Sequence, residues 1–312
     1  MNKAPKISII LPTYNGERWL AQSIQSVIDQ SEQNWELIIV NDASLDDTLK
    51  IAQAFSKKDC RISIISNQTN QQLPASLNIG FAAARGEYFT WTSDDNIYQP
   101  NALEKMASYL DNNPKTDLIS MNFSFIDEKG LVKPQDFYTI HKYKRSVAYL
   151  LHGCNIGAAF MYRKTIADKV GKYDETKFCA EDYDYWCRLA LIGKIDYRND
   201  NICQYRQHPW SLSATKRQQV EEKTIEIKNK YAEAFFAKFN FSWRDKATFW
   251  YNIKNHKRPA KYAPFYALLT IHKFVTNLLA MPIFWNRSLR HKLRRILQVS
   301  ENYSFSTKKS YL

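Results

Sequence analysis

Hydrophobic positions in the first hundred residues follow two alternating rhythms. Lys6–Pro12 (K-I-S-I-I-L-P) and Trp35–Asn41 (W-E-L-I-I-V-N) are β-branched runs of strand length that end at polar residues. Arg61–Ser66 and Tyr88–Thr92 read the same way. Between them Leu20, Ile24, Val27 and Ile28 recur at helical spacing. Thr48, Ile51, Ala52 and Phe55 do so too, behind an Asp46-Asp47 pair whose charge favours a helix N-terminus. A third helix is expected over Leu73–Arg85, closed by Gly86. Strands this apolar, alternating with helices, predict an α/β domain with a mostly parallel central sheet covered on both faces. In such sheets the ligand crevice lies beyond the carboxyl ends of the strands.

After Asn122 the pattern loosens. Short strands are expected around Ala158–Tyr162 and Ile202–Arg206, flanking a helix at Glu181–Ile192. From about Thr215 the chain reads as helical and basic. Trp91 and Trp186 are expected in the core.

The strand ends carry the candidate chemistry. The first closes in Pro12-Thr13-Tyr14-Asn15-Gly16-Glu17, the second in Asn41-Asp42-Ala43-Ser44, the fourth in Thr92-Ser93-Asp94-Asp95-Asn96. On one rim these supply a ring to stack on a base, acceptors for base and ribose, and carboxylates for a divalent cation. The cation matters because carboxylates repel a diphosphate unless Mg²⁺ or Mn²⁺ stands between them. No G-x-x-x-x-G-K-[ST] or G-x-G-x-x-G loop exists among the 8 glycines. Asp42 alone reads as a turn former, and Glu181-Asp182 alone as a helix start favoured by the macrodipole.

Taken together, I-S-I-I-L-P-T-Y-N, I-I-V-N-D-A-S-L-D-D-T and A-R-G-E-Y-F-T-W-T-S-D-D-N resemble the opening of family 2 glycosyltransferases of the GT-A fold. A-E-D-Y-D-Y-W-C-R-L and Q-Y-R-Q-H-P-W-S-L-S extend the match in the expected order, over about residues 6–213. The resemblance implies a catalytic domain at 1–214, with a nucleotide-sugar half at about 1–122 and an acceptor half at about 123–214. It implies that Pro12, Thr13, Tyr14 and Glu17 line the nucleoside pocket, that Asp42 bonds the base (commonly uracil), and that Asp94 sits near the ribose. Asp95, the last aspartate of a D-x-D motif, would ligate Mn²⁺ or Mg²⁺, with His208 approaching metal or diphosphate from a later loop. Asp182 matches the catalytic base of an inverting transfer, while Glu181 and Trp210 fall on the acceptor side. One departure stands out: the first acidic position of the D-x-D motif is Ser93.

Composition adds a location. The five cysteines are odd in number and lack C-x-x-C spacing, so reduced thiols are expected. The N-terminus reads straight into a strand without a leader, which predicts a cytoplasmic protein. Of a net charge of +13, eleven basic residues and no acidic ones fall between Lys246 and Ser300. Within residues 215–312, Tyr266–Met281 and Arg287–Leu297 read as amphipathic helices, apolar on one face and cationic on the other. That pattern suits the inner face of an anionic membrane, and a lipid-linked or cell-surface glycan precursor as acceptor. A helical subdomain packed on the core is the alternative. A nucleic-acid-binding role is a rival reading, but no RRM, KH or helix-turn-helix signature accompanies the charge, and no nucleic-acid partner is expected. A non-catalytic nucleotide-sugar binder is a second rival, favoured by Ser93 alone.

Overall fold

The structure, a computed structural model, describes residues 4–138, 147–252 and 270. In chain order the elements are β1 (Ile7–Thr13), α1 (Leu20–Ile28), β2 (Trp35–Asn41), α2 (Thr48–Ser56), β3 (Ile62–Ser66), α3 (Gln72–Ala83), β4 (Tyr88–Trp91) and β5 (Ile97–Tyr98). They continue with α4 (Ala102–Asn112), β6 (Leu118–Ile126), β7 (Val132–Tyr138), β8 (Phe160–Arg163), α5 (Lys164–Val170), α6 (Glu181–Ile192) and β9 (Ile195–Arg206). Three helices follow, α7 (Leu212–Thr215), α8 (Arg217–Lys238) and α9 (Trp243–Asn252).

The strands form one sheet in the order β3-β2-β1-β4-β8-β6-β9-β5, with β7 hydrogen-bonded to β6. β1 and β2 are buried at every position, and their parallel register runs from Ile7 beside Trp35 to Thr13 beside Asn41. β4 joins the other edge of β1, also parallel, with Ile7 beside Tyr88 and Ile10 beside Trp91. Strand order therefore reverses at β1, which makes the gap beyond β1 and β4 the switch point where such sheets bind ligands.

The parallel arrangement expected from the apolar runs describes β1 to β4. The second half is mixed: β8 is antiparallel to β4 and β6, and β7 to β6, while β6 pairs parallel with β9. The reason is connection length. A parallel neighbour needs a helical crossover, and the short link between β6 and β7 permits only a hairpin.

Core packing follows the periodicities. Leu20, Ile24 and Val27 of α1 join Ile7, Ile9 and Leu11 of β1 in one buried cluster. α3 lies close on the sheet, since a Cβ at Gly80 would meet Ile10 Cγ2 at 2.4 Å. Trp186 is fully buried among Phe160, Tyr162 and Tyr185, as expected, whereas Trp91 lines a cleft described below. All five cysteines are free thiols.

The chain divides into two compact units, Met1–Tyr231 and Ala232–Leu312. The first runs past residue 214 because the buried Asp184 carboxylate accepts hydrogen bonds from Tyr231 (2.8 Å), Lys230 and Arg188. In the second, Phe236 meets Phe241 and Phe249 edge-on at 5.3 and 5.5 Å. The two amphipathic stretches expected at Tyr266–Met281 and Arg287–Leu297 lie outside the described residues. Among the described residues no helix is long and apolar enough to cross a membrane.

The approach of the chain before β4 to β1 is testable. A Cβ at Gly86 would lie 2.6 Å from the Ser8 amide nitrogen, against backbone that cannot yield. Gly86→Ala should cost about 1–3 kcal/mol, a fall in melting temperature of several degrees by circular dichroism. Gly153→Ala, whose Cβ would meet nothing within 4 Å, should leave the melt unchanged.

Candidate active site

The register of β1 with β2 and β4 brings three loops to one rim. Beyond β1, Thr13 Oγ1 donates to Asp94 Oδ2 at 2.6 Å, tying the first loop to the fourth. Gly16 sits in that contact: a Cβ there would lie 2.2 Å from Asp94 Oδ2. Asn15 takes a positive φ of 54°, a strained setting that its neighbours hold in place. Its amide donates to Ser44 Oγ, its side-chain oxygen accepts from the Leu45 amide, and the Gly16 amide donates to Thr48 Oγ1 at 2.8 Å. Tyr14 is left half exposed at the mouth.

Asp42 is buried and accepts three hydrogen bonds, which leaves one of a carboxylate's four lone-pair sites. Its carboxylate accepts from Asn67 Nδ2 and from the Gln71 and Gln72 amides, each at 2.8 Å. It therefore fixes the entrance to α3, where Gln72 has a φ of 70°. The turn-former reading and the ligand reading both fit, since the carboxylate lines the cleft as well.

The fourth loop carries Asp94 and Asp95. Burial and the adjacent Asp95 carboxylate push Asp94 up to about 7, opposed by the hydrogen bond from Thr13. Asp95 Oδ2 lies 2.9 Å from His208 Nε2, which brings together residues 113 apart in sequence. His208 packs on Trp19 at 4.5 Å between ring centroids, and its buried Nδ1 has no partner.

Behind this pair sits a residue that sequence reasoning passed over. Arg206 is 1% exposed, yet among the described residues no carboxylate is bonded to its guanidinium. Its Nε donates to the Asp95 carbonyl at 3.0 Å, Nη1 to the Asp127 and Glu128 carbonyls, and Nη2 to Gln22 Oε1 at 2.8 Å. The signal was present as an arginine ending an apolar strand two residues before His208. Trp19 is a second omission, donating from Nε1 to the Glu128 carbonyl at 3.2 Å.

The later part of the chain contributes the start of α6. Cys179, at a φ of 77°, turns the chain into Glu181 and Asp182. Asp182 Oδ1 accepts from the Tyr183 amide at 2.6 Å, and Cys154 Sγ stands 3.9 Å from Oδ2. Burial raises Asp182 above the ordinary carboxylate range. Glu181 is 3% exposed, with Oε2 unpartnered, and burial beside Asp182 raises it too.

These groups line a single cleft of about 880 Å³. Pro12, Thr13, Tyr14, Asp42, Asp94 and Asp95 reach it from the loops after β1, β2 and β4, and Glu181, Asp182, His208 and Trp210 from later in the chain. Glu17 does not line it. Its carboxylate accepts from the Asp47 amide at 2.9 Å and so is spent on the start of α2. Cys154 and Gln72 line the cleft without having been foreseen.

For a divalent cation the donor set is small. Among the described residues no group of three His, Cys, Asp or Glu side chains could hold a metal. Asp95 and His208 present facing donors, 2.9 Å apart. Adjacent ligands at about 2.1 Å from an octahedral ion lie roughly 3 Å apart, and Mg²⁺-class ions take most of their ligands from phosphates and water. The pair fits such an ion as a partial ligand set.

Comparison with known proteins bears on the family and the fold. The family model for Glycosyl transferase family 2 matches residues 8–171. An uncharacterized glycosyltransferase of Rickettsia prowazekii is 31% identical over 224 residues, 70% of this chain and 69% of its own length. One from Haemophilus influenzae is 32% identical over 241 residues, 73% of each chain. Among solved structures, S. aureus TarS 1–349 in complex with UDP-GlcNAc aligns with a TM-score of 0.62 and 18% identity, over 96% of this chain and 92% of its own. The mannosyltransferase PcManGT from Pyrobaculum calidifontis, in complex with GDP-Man and Mn²⁺, aligns at 0.61 and 15%, over 99% and 89%. Likeness at such identity speaks to a shared fold.

The role of Asp42 at the entrance to α3 can be separated from any ligand. Asp42→Asn turns an amide NH₂ toward N–H donors, at a cost of about 1–3 kcal/mol. The Gln71 and Gln72 amides should exchange hydrogen faster in the variant. Unchanged protection would show that the carboxylate does not hold that turn.

Proposed function

The chain belongs to glycosyltransferase family 2, and from that premise we propose that it moves a sugar from a nucleoside-diphosphate donor, UDP ahead of GDP or dTDP, to an acceptor hydroxyl with inversion at the anomeric carbon. The observation that carries this reading is the convergence on one cleft of the Asp94-Asp95 pair and, from the other half of the chain, Asp182.

In this reading Tyr14 stacks on the base and Asp42 accepts from it, while Thr13 and Asp94 meet the ribose. Asp95 and His208 hold the cation. When bound, Mn²⁺ or Mg²⁺ supplies Lewis-acid stabilisation to the departing diphosphate. Asp182 takes the proton of the acceptor hydroxyl as that oxygen attacks, a role suited to a carboxylate whose basicity burial has raised. Its position at the start of α6 fixes it on a rigid element, and the Tyr183 amide holds one oxygen so that Oδ2 faces the cleft beside Cys154. Trp210, 61% exposed, offers a face for the acceptor sugar, and Glu181, which lines the same cleft, a hydroxyl partner.

The acceptor is a glycan or lipid-linked precursor at the inner face of the cytoplasmic membrane. The support is the run of eleven basic and no acidic residues from Lys246 to Ser300, since juxtaposed cations and apolar residues bind anionic lipid.

Calorimetry with UDP, GDP and dTDP, each with Mn²⁺ and with chelator, tests the donor site. One nucleotide should bind in a metal-dependent way, with binding lost in Asp95→Ala and retained in Asp182→Asn. Asp182→Asn should lower kcat by about 10²–10⁴. In the wild type the acid limb of kcat should lie above the ordinary aspartate value of about 3.9, because burial disfavours the charged form and the base is lost as pH falls through its raised pKa. No nucleotide binding under any condition sinks the reading. Co-sedimentation with vesicles containing anionic lipid, weakened by salt, tests the membrane arm; equal binding to neutral vesicles would refute it.

A further inference from the structure

Among the described residues the cleft is lined by five acidic side chains, Asp42, Asp94, Asp95, Glu181 and Asp182, and by one permanent cation, Arg18. That imbalance is a difficulty for any ligand bearing a diphosphate. The partial ligand set of Asp95 and His208, with Ser93 where a third acid would stand, leaves much of the phosphate charge to be met by something else.

Arg18 is placed to meet it. It lies at the start of α1, and its guanidinium carbon sits 4.5 Å from the Trp19 ring and 5.0 Å from the Trp210 ring. Both indoles also pack on His208, with centroids 4.5 and 6.0 Å away. The four side chains form a closed circuit, so Arg18 occupies the outer layer of the assembly whose inner layer is the His208–Asp95 pair. Cation–π contact on two rings keeps the guanidinium over the cleft without using its N–H donors.

The donors are only partly engaged. Arg18 Nη2 donates to Glu128 Oε2 at 3.0 Å, and the two side chains are 52% and 34% exposed. An exposed pair of this kind holds weakly. Glu128 itself is fixed by its backbone, whose carbonyl accepts from Trp19 Nε1 and Arg206 Nη1. Glu128 is thus a stationary counter-ion from which the arginine can turn inward, and a guanidinium fork matches phosphate oxygens in pairs.

We propose that Arg18 is a diphosphate-binding residue of this cleft, held by Trp19 and Trp210 and parked on Glu128 until a nucleoside diphosphate enters. The inference rests on the donor-site reading above and extends it. Glu128 competes with the ligand for Arg18, so the two residues act on affinity with opposite sign.

Calorimetry on the full chain with Mn²⁺, using whichever of UDP, GDP and dTDP the wild type binds and the matching nucleoside, tests it. Arg18→Met, which keeps an apolar stem between the two indoles, should weaken the diphosphate about ten-fold and leave the nucleoside unchanged. Glu128→Gln should tighten the diphosphate several-fold. Equal diphosphate affinity in wild type and Arg18→Met overturns the proposal, including the case where Arg18→Met raises only the acceptor KM, which would assign the arginine to an anionic acceptor group. Equal weakening of nucleoside and diphosphate overturns it in favour of a packing role. Failure of the wild type to bind any of the nucleotides refutes the donor-site reading itself.

Discussion

The site depends on the register of one strand. β1 runs parallel to β2 on one side and to β4 on the other, so its carboxyl end is where the strand order reverses. Ladder hydrogen bonds fix the level at which three loops leave the sheet, and the Thr13–Asp94 bond closes the gap between two of them. A shift of one residue in β1 would turn Ile7, Ile9 and Leu11 out of the α1 face, so burial of that face holds the site in place.

Onto this frame the protein adds buried polar groups that fold and site share. Asp42 satisfies two backbone amides at the entrance to α3 while facing the cleft. Arg206 buries a charge against three carbonyls and an amide oxygen, the Asp95 carbonyl among them. Removing such a residue would leave several orphaned acceptors, so the shape of the Asp95 loop is bound up with the stability of the end of β9.

The electrostatics of the cleft are lopsided. Several acidic groups share one partly buried volume: burial makes Asp94, Glu181 and Asp182 all resist ionisation, and for Asp94 and Glu181 the neighbouring carboxylate adds to it. A protein maintains such crowding only where something offsets it, and an incoming cation together with Arg18 would do so on the donor side. At the start of α6, among the described residues, no cation is hydrogen-bonded to Asp182, whose Oδ1 accepts from the Tyr183 amide. Among the described residues the non-glycine positions with positive φ cluster here too: Asn15, Ala43 and Cys179 in the rim loops and Gln72 at the start of α3.

Much of this was legible in the chain. Apolar runs and helical spacings placed β1, β2 and β4, with α1, α2 and α6, within a residue or two of where they lie, because burial on both faces or one face imposes its period on the sequence. The polar strand ends stood out for the same reason: a run of acids after a buried strand has no packing explanation. What the sequence left open involves contacts between residues far apart. It offered Glu17 as a pocket residue, but tertiary packing spends its carboxylate on the Asp47 amide. It gave no sign that Arg206 would support the Asp95 loop from within, that Arg18 would lie over Trp210, or that β7 and β8 would pair antiparallel in the sheet. Local periodicity records which face of an element is buried. It holds no record of which distant side chain will be found there, and that is decided only when the loops meet in space.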